Sequence, residues 1–399
     1  MGNTPNIRFK GFTDDWEQRK LGDVLVSLQN NTLSRADLSN ESGVAKNVHY
    51  GDVLIKFGEV LDVGKEQLPM ITDESVLSKY KASFLQNGDV IVADTAEDST
   101  VGKCSEIAGV NGDIVLSGLH TIPYRPVEKF ATGYLGYYLN SGAYHNQLIP
   151  LMQGIKVTSV SKSAMQDTDI VYPKSVKEQA MIGNGFQSLD YLITLHQRKC
   201  DETKKLKKFM LQKMFPKKDA KKPEIRFAGF TDDWEQRKLG DVIEVYNGRD
   251  YKHLEDGNIP VYGTGGYMLS VSEALSDYED AIGIGRKGTI DKPYILKAPF
   301  WTVDTLFYCI PRDNYDLYFV FDIFQNINWK AMDESTGVPS LSKTVINKVE
   351  TLVPNLSEQK KIGNYFNDLD HLITLHQRKC DELKEFKKYM LQNMFPQKG

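Results

Sequence analysis

The chain contains two pairs of closely matching segments, and this internal repeat constrains its fold more than any other feature. Residues 7–24 read IRFKGFTDDWEQRKLGDV, and residues 225–242 read IRFAGFTDDWEQRKLGDV. Residues 178–216 and 358–396 form the second pair, and both contain LITLHQRKCDE. The inserts between the paired segments differ in length and hardly match. Two copies are too few for a solenoid. We therefore predict two similar scaffolds that carry unlike surfaces for two different recognition tasks.

The second repeated segment predicts a long helix in each half. Residues 178–215 contain no proline, and apolar or small side chains recur at alternating steps of three and four, the pattern of a paired helix. These recurring side chains form one apolar stripe along each predicted helix. Lys207 and Lys387 interrupt the stripe at the same position of the two copies. Such a helix would be about 57 Å long. The predicted pairing seam comprises Ile182, Phe186, Leu189, Ile193, His196 and Cys200 in the first copy and Ile362, Phe366, Leu369, Ile373, His376 and Cys380 in the second. Because each stripe must be buried, we expect the helices to pack on each other, and a two-fold relation between the halves requires antiparallel packing.

The histidines and cysteines of this seam raise the question of a metal site. In an antiparallel pair, His196, Cys200, His376 and Cys380 would meet near the crossing point. Two His and two Cys are a ligand set that zinc accepts. The HxxxC spacing is a weak signal, and small seam-filling side chains explain the same residues. We predict no metal, and the zinc alternative stays open.

Composition indicates an ordinary folded protein. Hydrophobic residues make up 41% of the chain and charged residues 26%. No uninterrupted apolar run of about 18 residues predicts a transmembrane helix, and the first residues do not resemble a secretory signal. Four cysteines in 399 residues do not form a disulfide framework. We therefore expect reduced thiols and a cytoplasmic protein.

Charge is distributed unevenly along the chain. Net charge is −4, and acidic residues outnumber basic ones in both inserts. Residues 198–222 instead contain eleven Lys and Arg against three acidic residues. A basic run on a helix is usually a solvated face, but it could also contact phosphate or an acidic partner. The acidic inserts argue against DNA binding by this chain alone, because phosphate neutralisation supplies most non-specific affinity.

Motifs for catalysis and nucleotide binding are absent from the sequence. Residues 283–288, GIGRKG, match GxGxxG, but Pro293 follows and no helix opens where a dinucleotide site needs one. We interpret this stretch as a glycine-rich turn between strands. No GxxxxGK[ST], HExxH, GxSxG or paired CxxC motif occurs. The sequence therefore predicts a binding component with no catalytic residues.

Both inserts mix short β-prone runs with helical stretches. Residues 90–93, 114–116 and 300–303 predict strands, and residues 134–147 and 316–332 predict helices. Strands and helices in both inserts indicate two globular modules of the α/β or α+β class.

The chain resembles a known family, the specificity subunits of type I restriction-modification enzymes. The resemblance rests on the frame RFxGFTDDWEQRKLGDV, the stretch GIGRKGTIDKPYILKAPFWTVDTLFY and the helix start EQxxIGxxFxxLDxLITLHQRK, which occurs twice. It covers essentially the whole chain. It implies two target-recognition domains that each read one half of a bipartite double-stranded DNA sequence. It also implies two docked methyltransferase subunits, which two motor-nuclease (restriction) subunits can join. S-adenosylmethionine, ATP and magnesium would be bound by those partner subunits, and no cofactor by this chain.

The resulting fold prediction is α/β (α+β): two globular target-recognition domains separated by two long antiparallel, coiled-coil-like helices with pseudo-two-fold symmetry. The predicted segments are 1–177 for the first recognition domain with its frame, 178–216 for the first spacer helix, 217–224 for a basic linker, 225–357 for the second recognition domain and 358–399 for the second spacer helix. A helix of about 57 Å spans at most about 17 base pairs, which is enough to separate two half-sites.

Candidate DNA contacts follow from side-chain chemistry, because recognition inserts vary too much for residues to be carried over. Arg286, Lys287 and Lys292 lie in the glycine-rich stretch, and Arg and Lys pair with the acceptors of guanine. Further candidates for phosphate contact, placed in loops before the long helices, are Lys156, Ser161 and Lys162 and their loose counterparts Ser342 and Lys343. For each of these eight candidates, an exposed loop residue that contacts no ligand is at least an equal alternative.

Two other classes of function remain open. A stand-alone DNA methyltransferase or nuclease would show activity as the purified chain. A coiled-coil protein adaptor without DNA binding would give its methyltransferase partner no sequence preference.

Overall fold

The computed structural model describes residues 4–217 and 220–397. Residues 1–3 and 398–399 of the outer predicted segments, and residues 218–219 of the predicted basic linker, lie outside the described residues. The described chain divides into two compact units. The first unit comprises residues 4–195 and 379–397, and the second comprises residues 196–217 and 220–378.

The first unit is a mixed α/β domain with thirteen strands among its described residues. These are β1 (Glu17–Lys20), β2 (Leu25–Ser27), β3 (Leu38–Ser39), β4 (Ala45–Val48), β5 (Val60–Asp62), β6 (Met70–Ile71), β7 (Val90–Ala93), β8 (Thr95–Ala96), β9 (Cys104–Ala108), β10 (Val115–Ser117), β11 (Thr121–Pro126), β12 (Thr158–Ser159) and β13 (Asp169–Tyr172). Its helices are α1 (Leu21–Val24), α2 (Tyr50–Ile55), α3 (Ser75–Tyr80), α4 (Tyr134–Asn140), α5 (Gly142–His145), α6 (Lys162–Gln166) and the first half of α7 (Val176–Met214). Short 3-10 turns cover Arg35–Asp37, Lys81–Ser83 and Ile149–Leu151.

Strand β7 lies at the centre of the main sheet of the first unit, whose order is β2-β11-β7-β9-β5. All four residues of β7 are buried. Successive side chains of a strand point to opposite faces. Accordingly, Val90 and Val92 belong to one apolar core, and Ile91 and Ala93 belong to another. A second sheet has the order β10-β4-β6-β3, and the pairs β1-β13 and β8-β12 complete the unit.

The second unit is smaller and has nine strands among its described residues. They are β14 (Glu235–Lys238), β15 (Ile243–Asn247), β16 (Asp256–Gly263), β17 (Gly266–Val271), β18 (Ala281–Gly285), β19 (Tyr294–Leu296), β20 (Trp301–Thr302), β21 (Leu306–Pro311) and β22 (Glu350–Val353). Its helices are the second half of α7, then α8 (Leu239–Val242), α9 (Leu317–Asn326), α10 (Lys343–Lys348) and the first half of α11 (Leu356–Asn393), with a 3-10 turn at Trp329–Met332. The sheets have the orders β15-β21-β18-β19, β17-β16-β20 and β14-β22.

Each repeated frame is bonded to the start of a repeated helix. Arg8 forms two bonds with Glu178 at 2.6 and 2.9 Å, and Arg226 forms two bonds of 2.7 Å with Glu358. The side chains of Glu178 and Glu358 are almost fully buried. Two-point Arg–carboxylate bonds are strong and directional. They therefore fix the first turn of each long helix against its own domain.

The neighbouring glutamine anchors the same turn to the insert. The Oε1 atom of Gln179 accepts from the main-chain N–H of Ala131, and its Nε2 donates to the carbonyl of Pro173. Gln359 makes the corresponding bonds in the second unit. Both glutamines are buried, so these bonds satisfy polar groups that water cannot reach.

In the first unit the two helix segments run antiparallel. Ile193 is close to Cys380, whose Sγ lies 3.9 Å from the Ile193 carbonyl. Asp190 is bonded to Lys387 at 2.7 Å, and Phe186 shares a core with Phe395. Residue numbers therefore fall along α7 as they rise along α11.

The second unit shows the same polarity. The Sγ of Cys200 lies 3.8 Å from the carbonyl of Ile373, and Lys207 is bonded to Asp370. Met214 shares a core with residues near the start of α11. The predicted fold class, mixed domains with two long antiparallel helices, is confirmed. The long helices begin at Val176 and Leu356, two residues before the predicted spacer segments.

The two-unit division differs from the five predicted segments. It cuts both long helices at mid-length, because the ends of each helix are buried in different domain cores. The insert helices are shorter than expected: α4 ends at Asn140 before Ser141, and α9 ends at Asn326. None of the four cysteines forms a disulfide, and all are buried. No helix within residues 4–217 and 220–397 is long and apolar enough to cross a membrane.

Candidate nucleic-acid interface

The glycine-rich stretch forms a turn that presents Arg286 at the end of a buried strand. Every residue of β18 is buried, and Arg286 directly follows it as an exposed residue. The main-chain N–H of Arg286 donates to the Thr305 carbonyl at 2.8 Å, and its own carbonyl accepts from Leu341 N–H at 3.0 Å. The backbone of Arg286 is thus held from two sides. No helix follows, in agreement with the interpretation of GIGRKG as a turn.

Four of the eight predicted DNA contacts line one concave surface next to this turn. Arg286, Lys287, Ser342 and Lys343 share a cavity of about 350 Å³. Its other lining residues are Asn247, Phe307, Glu334, Ser340 and Leu341. We call this set the second-unit concavity. The hollow is lined by three cations, one amide and two hydroxyl groups against a single carboxylate, that of Glu334. Donors therefore predominate, and the site favours hydrogen-bond acceptors.

The Arg286 side chain contacts Phe307 and Asp304 and forms no ion pair with any residue that the structure describes. Its guanidinium carbon lies 5.9 Å from the centre of the Phe307 ring, and Nη1 donates to the carbonyl of Asp304 at 3.4 Å. Arginine has five N–H donors in a planar fork. The bond to the Asp304 carbonyl uses one of these donors.

Ser342 has a structural role in addition to its predicted one. Its Oγ accepts from the N–H of Val345 at 3.2 Å, which caps α10. Lys343 is the first residue of that helix, so these residues do not lie in a plain loop as expected. Lys292 is exposed and lies outside the second-unit concavity, beside an ion pair between Asp291 and Lys330.

The first-unit candidates occupy a related position. Ser161 caps α6 by accepting from Ala164 N–H at 3.2 Å, and Lys162 is the first residue of that helix. Lys156 lies in the preceding irregular segment. All three predicted residues are exposed. DNA contact by any of them remains a prediction.

The lysines that interrupt the helix stripes have partners that the sequence did not reveal. Nζ of Lys387 lies 2.7 Å from Asp190 and 2.8 Å from Glu59, and the Tyr137 hydroxyl donates to Asp190 at 2.6 Å. Burial lowers the pKa of Lys387, but the two carboxylates outweigh it and the pKa is raised overall. The ammonium is therefore kept charged inside the first unit.

The second unit contains the equivalent lysine–aspartate pair, with a different additional carboxyl group nearby. Lys207 is bonded to both oxygens of Asp370 at 2.5 and 2.6 Å. The buried carboxyl of Asp322 lies on α9 near this pair, and burial raises its pKa well above the ordinary value. The repeat marks Asp190 and Asp370 as equivalent residues, because both follow Leu in the shared LDxLITLHQRK stretch, but it does not show which residues they bind.

Two predicted seam histidines meet directly in the second unit. Nδ1 of His196 lies 3.0 Å from Nδ1 of His376, so one ring must donate and the other accept. The pKa of His376 is lowered by burial and by the nearby His196 and Lys199. Within the part of the chain that the structure describes, no group of three or more His, Cys, Asp or Glu side chains could hold a metal ion.

Comparison with known families decides the class of protein. Residues 13–205 and 231–385 match the family model of the type I restriction modification DNA specificity domain. The chain belongs to this family. The resemblance to type I specificity subunits is thus confirmed. Such a subunit is non-catalytic, and the catalytic activity of the system lies on partner subunits.

Similar proteins extend over most of the chain. One relative is a Methanocaldococcus jannaschii protein provisionally named the specificity subunit of type I restriction enzyme MjaX. It is 23% identical over 416 residues, and the match covers 95% of this chain and 92% of the relative. The type I restriction enzyme MjaVIII specificity subunit of the same organism is 28% identical over 190 residues, covering 41% of this chain and 42% of the relative.

Solved structures share the fold. The S subunit of a type I restriction-modification system from M. genitalium has a TM-score of 0.69 at 15% identity. The match covers 99% of this chain and 100% of the M. genitalium chain. A chain from a study of complex assembly and conformational transition of the type I R-M system has a TM-score of 0.50 at 16% identity, covering 95% and 97%.

Proposed function

We propose that this specificity subunit reads a bipartite DNA target, one part with each unit, and carries two methyltransferase subunits that two motor-nuclease subunits can join. Membership of the DNA specificity family supports recognition of DNA. The observation that carries the residue-level proposal is the second-unit concavity, where Arg286, Lys287 and Lys343 converge.

The chemistry of the concavity fits a guanine. In the major groove guanine presents two acceptors, N7 and O6, and a bidentate Arg or Lys is the commonest partner for them. Arg286 is exposed, and its backbone is held on both sides. Lys343 lines the same hollow, where its ammonium would contact phosphate as a point charge. In the first unit, Lys156, Ser161 and Lys162 would contact phosphate. In the second unit, Lys292 would make a peripheral phosphate contact.

Exposed apolar side chains on the long helices suit the docking of a protein partner. Tyr191 and Leu192 of α7 line a shallow groove of about 450 Å³ in the first unit, with Asn184, Gln187 and Ser188. Phe386 and Tyr389 of α11 are about half exposed in that unit. Large exposed apolar side chains are typical of protein interaction sites.

The second unit exposes the repeat-equivalent side chains. Leu206 and Phe209 are three residues apart and thus share a face of α7, and Leu372 of α11 is also exposed. Equivalent docking positions in both units support two copies of one partner on a single chain. The similar fold of a chain from a type I R-M assembly agrees with this proposal.

Chemistry is assigned to the partners. S-adenosylmethionine would be bound by the methyltransferase subunits, and ATP and magnesium by the motor-nuclease subunits, with no cofactor on this chain. The supporting observation is the lack of a nucleotide-binding or nucleophile motif in the sequence.

The decisive experiment maps adenine methylation by the chain co-expressed with its methyltransferase partner. We expect one bipartite target, and native mass spectrometry should give two methyltransferase copies per chain. Methylation without sequence preference would support the protein-adaptor alternative. Methyl transfer by the purified chain alone would support the stand-alone enzyme.

Docking is tested by one charged substitution in each unit. Phe209→Glu and Tyr389→Glu should each remove one methyltransferase copy, because each places a charge in a desolvated contact. Lys204→Glu and Lys384→Glu are matched controls on the same helices, because both are exposed and lie five residues before Phe209 and Tyr389, on a different face. Unchanged stoichiometry in both aromatic variants would reject these helix faces as the docking sites.

A further inference from the structure

We infer that Asp94, held by Thr95 and His120, reads the exocyclic amino group of a cytosine or adenine in the half-site of the first unit. This inference rests on the proposed function and names the group that the first unit recognises. Its basis is the equivalence between Asp94 and Arg286, which the strand pairing shows and the sequence does not.

The main sheets of the two units share a common arrangement of three strands. Strands β2-β11-β7 of the first unit follow the same order as β15-β21-β18 of the second, and all neighbours in both sets are antiparallel. Strand β7 therefore corresponds to β18. Asp94 is the residue directly after β7, as Arg286 is after β18.

Main-chain bonds confirm this correspondence residue by residue. Asp94 N–H donates to the His120 carbonyl at 3.1 Å, and the Asp94 carbonyl accepts from Val160 N–H at 2.9 Å. Arg286 makes the same two bonds with Thr305 and Leu341.

The next residues agree as well. Thr95 pairs with Ser159, and Lys287 pairs with Ser340. Ser161 and Ser342 then cap the short helices that follow. Asp94 and Thr95 thus stand where the second unit has Arg286 and Lys287.

The local contacts hold the carboxylate of Asp94 in place. Oδ1 of Asp94 accepts from the Thr95 hydroxyl at 2.7 Å, and Nδ1 of His120 lies 3.5 Å from the same oxygen. His120 has a φ of 55°, a conformation that non-glycine residues rarely adopt. Its ring packs edge-on against Tyr50 at 5.3 Å. About a quarter of the Asp94 side chain remains exposed, so a ligand can reach it.

A carboxylate at this position selects for a base amino group. An ionised carboxylate only accepts hydrogen bonds, whereas Arg286 and Lys287 only donate them. A phosphate would be repelled by Asp94. In the major groove, the donors available to Asp94 are cytosine N4 and adenine N6, and Asp or Glu accepting from cytosine N4 is an established pairing. The two units thus place opposite hydrogen-bonding character at one position of a shared scaffold.

The test uses the complex with the methyltransferase and duplexes that lack single amino groups. Within the mapped target, each adenine of either half-site other than the methylated ones is replaced by deoxynebularine, and each cytosine by 2-pyrimidinone deoxyriboside. We expect one replacement to lower methylation by the wild-type complex about tenfold or more. The same replacement should cost the Asp94→Ala complex nothing further, because the acceptor is already missing. Loss at a cytosine or at an adenine identifies the base.

Two variants make the result specific. Asp94→Asn keeps the shape of the side chain and should shift preference toward adenine, since an amide bonds adenine N6 and N7 together. Glu97→Gln removes the same charge from an exposed position of the same loop and should leave every base preference unchanged.

The inference is overturned if Asp94→Ala and Asp94→Asn keep the wild-type preference at every position, or if both half-sites relax together. In those cases the wild-type complex still has its bipartite target, and only this inference fails. A wild-type complex without a bipartite target would instead reject the proposed function.

Discussion

Nζ of Lys387 lies 2.7 Å from Oδ1 of Asp190, so the residue that interrupts the apolar stripe of α11 is bonded to a carboxylate of α7. Their repeat equivalents, Asp370 and Lys207, form the same pair with exchanged helices. A single polar pair within an apolar seam specifies register and orientation, because any shift leaves a charge buried without a partner. The interruption of the stripe is therefore the feature that fixes the alignment of the helix segments within each unit.

Lys387→Ala should lower the free energy of unfolding by about 2 kcal/mol. The substitution leaves Asp190 and Glu59 close together without their shared cation, and the Lys387 side chain is mostly buried while that of Asp190 is partly open to solvent. Chemical denaturation followed by circular dichroism measures the loss. Lys384→Ala, at an exposed position one turn earlier, should change stability by less than about 0.5 kcal/mol. Equal effects of the two variants would contradict a role for the ion pair.

Stability of the second unit should fall as the pH falls below about 6.5. The folded-state pKa of His376 is lower than its ordinary value of 6.5 because of burial, His196 and Lys199. The unfolded chain therefore takes up a proton first, and stability is lost between the unfolded pKa and the lower folded one. Thermal unfolding midpoints between pH 5 and 8 should drop more for the wild type than for His376→Leu. Parallel pH profiles of the two proteins would argue against this pair as the cause.

The long helices could be predicted because a local heptad pattern determines which face must be buried. Their antiparallel polarity could be predicted because a two-fold relation between the repeated halves requires it. The turn at Arg286 could also be predicted, since its glycines and Pro293 exclude a helix by local sterics. The breaks at Lys207 and Lys387 were visible in the sequence as well. Their partners were not, because Lys207 and Asp370 are separated by 163 residues and a pairing over that distance depends on register.

The equivalence of Asp94 and Arg286 lay beyond the sequence. The two inserts hardly match, so no alignment relates these residues. Only strand pairing and the bonds to His120 and Thr305 place them at the same point of the sheet. For Ser161 and Ser342 the sequence identified the residues but not their capping role. A serine that caps a helix and a serine that contacts phosphate look the same in sequence.

Arg226→Ala should destabilise the chain by about 3 kcal/mol or more, and more than Arg8→Ala. Each substitution leaves a buried glutamate without its cation. Glu178 keeps a bond from Trp16 Nε1 at 3.4 Å, whereas Trp234 Nε1 has no hydrogen-bond partner among the described residues. Urea denaturation of both variants measures the difference. Arg237→Ala, which removes an exposed pair with Glu235, should have a negligible effect. A larger loss for Arg8→Ala would show that the tryptophan bond does not matter.

Gly285→Ala should relax base preference in the half-site of the second unit alone. A Cβ at Gly285 would lie 2.0 Å from the Thr289 carbonyl oxygen, so the turn that carries Arg286 would have to open. We expect a loss of about 1–3 kcal/mol in unfolding free energy, together with relaxed methylation at positions contacted by the second-unit concavity. Gly265→Ala is the matched control in the same unit, because a Cβ there meets nothing within 4 Å. Methylation mapping of both complexes distinguishes the outcomes, since relaxation in both half-sites would mean general unfolding. Full retention of preference in Gly285→Ala would show that the turn geometry does not position the base contact.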